Sequence, residues 1–275
     1  MRVYAAGMQL PPSPFAVITG AGSGFGRALG LELARRGGRL LLSDRDLASC
    51  EESARLCREA GATSAKAMVC DVTKIEDVEA LAAACEGRID LLVNNAGVSS
   101  GGNVGELPLD VWRWTVEVNM WGVIHGCHVF VPILKKQHAG HILNMASAAG
   151  LLSAPHMGAY NVGKAAVVAL SETLAGELQG TGVDVTVLCP TFFRTNIASS
   201  GRFSDAKIKA SAERLVDQGK SAQEVARAAL ASVEKGELYC VPMADGRWYW
   251  RLKRAAPESF AALAGHAAQA VKRRR

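Results

Sequence analysis

The chain has 275 residues, a length suited to one α/β domain with a large core, and its 49% hydrophobic and 21% charged content excludes a disordered or fibrous protein. Its net charge of +5 is unevenly placed: residues 246–275 carry eight Lys/Arg against Glu258 alone, so the rest sums to −2 and offers no basic face for nucleic acid. Seven scattered cysteines with no C-x-x-C pair argue against a disulfide framework and for small buried side chains in a reducing, cytoplasmic setting.

Residues 1–14 contain Pro11, Pro12 and Pro14 without a sustained apolar run, so they read as an N-terminal extension and not a secretory signal, with Met8 as a second candidate start. Residues 15–19 (FAVIT) have the composition of a buried parallel strand. Gly20-Ala21-Gly22-Ser23-Gly24-Phe25-Gly26 follows at once, and residues 27–36 read as an amphipathic helix. Strand, glycine turn and helix in that order make a phosphate-binding loop credible. Gly20 permits the tight turn, Gly24 lets backbone approach a pyrophosphate, and Gly26 allows helix to pack on strand. The helix N-terminus offers free N–H groups to the phosphates.

A second strand over 39–43 ends at Asp44, about 20 positions past the glycines, where a carboxylate can accept hydrogen bonds from a ribose and repel a 2′-phosphate. That favours NAD over NADP, although Arg45 beside it could pair with such a phosphate. Ser23 adds no positive charge to the loop. Further strands are predicted near 65–69, 89–93, 140–146, 183–188 and 238–241, with helices near 25–37, 46–60, 75–85, 110–137, 158–179 and 221–234. Strict alternation implies a Rossmann-type doubly wound parallel sheet of about seven strands, helices on both faces, and a crevice at the carboxyl ends of the strands. Residues 141–163 lack Asp, Glu, Lys and Arg, but their Asn, Pro, Ser and Gly suit a buried strand and active-site loop better than a membrane span.

Tyr160 and Lys164 are four apart on a predicted helix, so phenol and ammonium share a face, and Ser147 lies thirteen residues earlier. A phenol titrates near ~10 in water. A neighbouring cation stabilises the phenolate and lowers that value, which makes tyrosine a usable acid/base. The serine hydroxyl could hold a substrate oxygen while the proton moves.

These features occur in order with Asn94-Asn95-Ala96-Gly97, and together they resemble the short-chain dehydrogenase/reductase family from about residue 15 to 241. The resemblance implies a hydride exchange between a nicotinamide cofactor and an alcohol or ketone. It implies that Ser147 holds the reacting oxygen, Tyr160 is the acid/base, Lys164 binds the nicotinamide ribose and lowers the tyrosine pKa, and Asn119 anchors a water in the proton relay. Gly20, Ser23, Gly24, Phe25, Gly26, Asp44 and Arg45 would contact the nucleotide, and Asp71 with Val72 would meet the adenine. Asn94, Ala96 and Gly97 would lie beside the cofactor, and Pro190 and Thr195 would belong to the segment over the nicotinamide. One departure is Thr191, where the family usually has glycine, and a β-branched residue restricts that loop.

Residues 191–220 are expected to form a mobile flap, with Phe192, Phe193, Phe203 and Ile208 either facing the pocket or packing on the domain. Leu151, Leu152, Pro155, His156 and Met157 suggest an apolar pocket and hence an apolar substrate. His125 and His128 have metal-like spacing but read better as packed side chains, and Trp112, Trp114 and Trp121 as core or interface. Catalytic residues 15–245 are thus followed by a basic extension, 246–275. Its mixed aromatic and cationic residues suit a cap or packed extension more than an anionic membrane surface. A homodimer or homotetramer follows by resemblance. A catalytically weak, dinucleotide-sensing scaffold is the alternative function.

Overall fold

The computed structural model of the chain describes residues 10–273, with side chains through 269. Met8 therefore lies outside the described residues, as do Arg274, Arg275 and the side chains of Lys272 and Arg273. Seven parallel strands make the central sheet: β1 (Phe15–Thr19), β2 (Arg39–Asp44), β3 (Ser64–Val69), β4 (Leu91–Asn94), β6 (Gly140–Met145), β7 (Val183–Leu188) and β9 (Tyr239–Cys240). Their order is β3-β2-β1-β4-β6-β7-β9, so the winding reverses between β1 and β4 and opens a crevice at the carboxyl ends there. Pairing of Thr19 with Ser43, and of Ile18 with Val93, brings the ends of β1, β2 and β4 to one edge.

The strands alternate between two cores. Val17, Leu41, Leu92 and Ile142 face one side, with Phe130 and Leu134 from α5 (Gly122–Gln137) and Val167 from α7 (Gly158–Glu177). Ile18, Leu42, Val93 and Leu143 face the other, against α1 (Gly24–Ala34), α2 (Leu47–Glu59) and α9 (Ala222–Glu234). Because both faces are covered, the strands read as continuous apolar runs. Fully buried leucines such as Leu92 each contribute about 1.5–3 kcal/mol. Helix starts follow local chemistry: Asp46 accepts from the Ser49 amide at α2, and Ser221 with Glu224 forms a capping box at α9.

Several elements differ from expectation. The single helix predicted over 110–137 is α4 (Leu109–Val116), then a π-helical turn over Glu117–Trp121, then α5; the Gly122 amide reaches back five residues to the Glu117 carbonyl. Such turns are frequent at functional sites, and this one carries buried Asn119. The expected flap contains regular elements: β8 (Arg202–Phe203) pairs with β5 (Ser100–Gly101), and α8 (Ala206–Asp217) follows. Helices α3 (Ile75–Ala83) and α6 (Ala148–Leu152) complete the body, while α10 (Ala244–Ala255) and α11 (Pro257–Arg273) form the C-terminal extension.

Candidate active site

A cleft of about 1310 Å³ runs along the carboxyl edge of the sheet and holds the glycine turn at one end and Ser147, Tyr160 and Lys164 at the other. The turn is fastened from several sides. The Ala21 amide donates to the Ser43 carbonyl at 2.9 Å, and the Gly22 amide to Asp44 Oδ2 at 2.9 Å. Asn95 Nδ2 donates to the Thr19 and Gly20 carbonyls at 2.8 and 2.9 Å. Thr19 Oγ1 in turn accepts from the Asn95 and Ala96 amides at 3.0 and 3.1 Å. Arg27 donates to the Gly22 carbonyl and to Ser53 Oγ at 2.8 Å.

Glycine is required at two points. Gly20 has φ +64°, and a Cβ there would lie 2.7 Å from Ala96 Cα; at Gly26 it would lie 2.4 Å from the Gly20 carbonyl oxygen. Beyond the turn, Ser23 caps α1 by backbone only and no acidic residue occupies the first turn, so the positive helix end faces the cleft without a competing anion. A dinucleotide's phosphates fit that arrangement. Phe25 lines the cleft, yet the residue is only 4% exposed and its ring meets Phe193 edge-on at 6.4 Å. Asp44 is half-buried and also accepts from the Asp46 amide at 3.1 Å, while Arg45 beside it is exposed. Asp71 and Val72 line the same end; Asp71 Oδ1 accepts from the amide and hydroxyl of Thr73 at 3.0 and 2.8 Å.

At the other end, Ser147 caps α6, its Oγ accepting from the Ala149 amide at 3.1 Å and donating to the Pro190 carbonyl at 3.5 Å. Tyr160, on the first turn of α7, also feels the Ser147 hydroxyl, but burial dominates and pushes its phenol up to about 12. Lys164 is buried, its Nζ donates to the Met145 carbonyl at 2.8 Å, and desolvation lowers it to about 8. The ammonium lies 5.8 Å from the Tyr160 ring centroid. Here Nζ is spent on the Met145 carbonyl, and burial outweighs the Ser147 hydroxyl in setting the direction at the phenol.

Asn119 does not stand on the cleft wall but behind it. Its Oδ1 accepts from the Val98 amide and its Nδ2 donates to the Val98 carbonyl, both at 2.8 Å. Gly97 is the seam: a Cβ there would sit 3.0 Å from Asn119 Oδ1 and 3.4 Å from Lys164 Nζ. Asn94 is buried and serves the sheet, donating to Asn144 Oδ1 at 2.9 Å, while Ala96 lines the cleft. Pro190 and Thr195 border it too, Thr195 standing about 3.5 Å from where a Gly24 Cβ would be. Thr191 has no left-handed backbone angle and turns its hydroxyl to Asp245 at 3.4 Å, so the β-branched residue meets α10.

Asn95, Thr19 and Arg27 hold the turn although none of them is a predicted site residue. Asn95 was inside the NNAG motif, but its amide's reach across to β1 depends on strand pairing that no local pattern displays. Trp114, under the Arg202 guanidinium at 4.1 Å, and Tyr249 of α10 also line the cleft. The C-terminal extension packs on its own chain: Trp250 lies 4.8 Å from Tyr239, and Lys253 Nζ donates to the Leu151 carbonyl at 2.8 Å. His125 Nδ1 pairs with the Val72 carbonyl at 2.9 Å, and His128 is exposed. No helix among the described residues is long and apolar enough to cross a membrane.

Sheet order, glycine turn and helix end together define a dinucleotide-binding α/β protein. The chain belongs to the short-chain dehydrogenase/reductase family, whose short chain dehydrogenase model matches residues 14–204. The "Probable oxidoreductase EphD" of Mycobacterium tuberculosis is 36% identical over 190 residues, 68% of this chain, which spans about a third (32%) of that relative's length. A short-chain dehydrogenase/reductase of Burkholderia phymatum solved with NAD has TM-score 0.85 and 38% identity, covering 90% of this chain and 94% of that one. A short-chain dehydrogenase of Sphingobium yanoikuyae solved with NADPH has TM-score 0.76 and 26% identity, covering 90% and 95%.

Proposed function

We propose that the protein is an NAD-preferring dehydrogenase/reductase that interconverts a secondary alcohol and a ketone of apolar character. The observation that carries this reading is the single cleft in which an uncapped glycine turn and Ser147, Tyr160 and Lys164 face one ligand space. The nicotinamide, when bound, supplies the hydride exchange. Gly20, Ser23, Gly24 and Gly26 present backbone to the phosphates, Asp44 accepts from the adenosine ribose, and Asp71 with Val72 borders the adenine. Ser147 Oγ holds the substrate oxygen by a hydrogen bond. Tyr160 as phenolate takes the alcohol proton during oxidation, and as the hydroxyl it returns that proton during reduction.

Lys164 binds the nicotinamide ribose, and relief from the Met145 carbonyl would let its charge act on the phenol. Asn119 braces Val98 behind the relay. Leu152, Pro155, Met157, Phe192, Phe203 and Leu215 line the substrate side and favour an apolar body. Asp44 near the turn favours NAD, with Arg45 the group that would admit a 2′-phosphate. Residues 15–245 act as one catalytic domain in a reducing cytoplasm. Exposed Trp121 and Val162, on neighbouring elements, give a face for a homodimer or homotetramer.

The test is a panel of secondary alcohols and ketones, each assayed with NAD(H) and NADP(H) in parallel. Turnover of apolar members with NAD(H) is the expected result. Tight nucleotide binding without turnover of any member would replace the dehydrogenase by a dinucleotide-sensing protein, and a preference for small polyols would remove the apolar substrate.

A further inference from the structure

The substrate side of the cleft contains one imidazole whose hydrogen-bonding state is set by its neighbours. His156 has φ +65°, a left-handed backbone angle uncommon outside glycine, and its carbonyl accepts from the Gly102 amide at 2.7 Å. Its Nδ1 lies 2.6 Å from Asn103 Oδ1. The Asn103 amide cannot be reversed without loss, because its Nδ2 donates to Glu106 Oε2 at 2.7 Å and an ionised carboxylate only accepts. Asn103 therefore presents its oxygen to the imidazole, and Nδ1 must carry the proton. Nε2 is then a lone-pair acceptor, and among the described residues it has no hydrogen-bond partner. All three residues line the cleft, and His156 lies four positions in the chain from both apolar Leu152 and Tyr160.

We propose that His156 is a specificity-determining residue whose Nε2 accepts a hydrogen bond from a second hydroxyl of the substrate, remote from the reacting carbon. The preferred substrate is then an apolar secondary alcohol or ketone carrying one additional donor. Asn103 and Glu106 are positioning residues that keep the acceptor face of the imidazole toward the cleft. This inference rests on the dehydrogenase reading above.

The experiment compares cyclic secondary alcohols with counterparts that differ only by one extra hydroxyl, moved stepwise around the ring. Steady-state kcat and KM are measured for the wild type, His156→Asn and Asn103→Leu. Asparagine tolerates the left-handed angle but is too short to place the same acceptor. In the wild type, at least one diol is expected to be favoured about two- to tenfold in kcat/KM, chiefly through KM, as one neutral hydrogen bond allows. The diol-to-monool ratio falls to about one in His156→Asn and moves toward one in Asn103→Leu, whatever happens to the absolute rates. A merely structural role would change both alcohols alike and leave the ratio in place. A wild type indifferent to every diol, or a ratio unchanged in both variants, overturns the proposal. Failure to oxidise any alcohol, plain or hydroxylated, overturns the dehydrogenase reading and takes this inference with it.

Discussion

The nucleotide wall and the substrate wall of the cleft are built differently. On the first, backbone groups of the glycine turn are tied to β2 and β4 by Asp44, Asn95, Thr19 and Arg27, mostly among buried or half-buried atoms. On the second, β5 and β8 share only two residues each, α8 buries Val216 alone, and Phe192, Leu215 and Tyr249 are all more than 40% exposed. Rigid placement suits a ligand that is the same in every catalytic cycle. A lightly held apolar wall can reshape around a guest, and low local stability is where such movement is found.

Four measurements test this contrast, the largest effect first. Tyr160→Phe should lower kcat by about 10²–10⁴, the range of general acid–base catalysis, with nucleotide affinity unchanged by fluorescence titration. Wild-type turnover would mean that another group moves the proton. Asp44→Ala removes both the ribose acceptor and the anchor of the Gly22 amide. It should weaken NAD about 10- to 100-fold and narrow the gap to NADP, since hydrogen bonds to a charged group contribute about 1.5–3 kcal/mol. If calorimetry finds both nucleotides unaffected, the firm wall is not what binds them.

The floor under both walls gives a third test. His141 on β6 is fully buried, its Nε2 lies 2.8 Å from Thr186 Oγ1, and Nδ1 has no partner among the described residues. Thr186 spends its own proton on the Glu237 carbonyl, so the imidazole must be the donor. Burial pushes its pKa down from 6.5 to about 3. Between those values the unfolded chain takes up a proton that the folded one refuses, so stability is complete above pH 6.5 and is lost toward pH 3. The loss approaches about 1.4 kcal/mol per pH unit, and denaturant melts of His141→Leu should lack it. Equal slopes would show that water reaches the ring. The smallest effect is expected for Lys253→Met, which unties α10 from the Leu151 carbonyl and from Ser153. It should cost under about 1 kcal/mol in thermal melts, while KM for an apolar substrate shifts a few-fold; an unmoved KM would separate α10 from the pocket.

The nucleotide wall was legible in the sequence because its rules are local. A strand, three glycines and a helix announce themselves within a dozen residues, and Tyr160 with Lys164 needs only helical spacing. The substrate wall depends on meetings across long separations that no period encodes. Phe203 finds Gly101, Thr191 finds Asp245, and Lys253 finds Leu151. The surroundings of the phenol are only partly legible for a related reason. Adjacency of Lys164 on the helix could be counted, whereas the competing Met145 carbonyl comes from another strand. Likewise nothing in the apolar pattern of 110–137 marks the place where the helix widens.

That widening has its own consequence for how the chain tolerates change. A turn closed over five residues holds one more than an α-turn, so the π segment behaves as an insertion already absorbed, with helix on either side still in phase. Excising one residue between 117 and 121 should heal the helix and leave Trp114 and Cys127 where they stand. The amide of Asn119 would lose its two-fold grip on Val98, so the shortened chain should fold with a lowered melting temperature and, on the proposed function, reduced turnover.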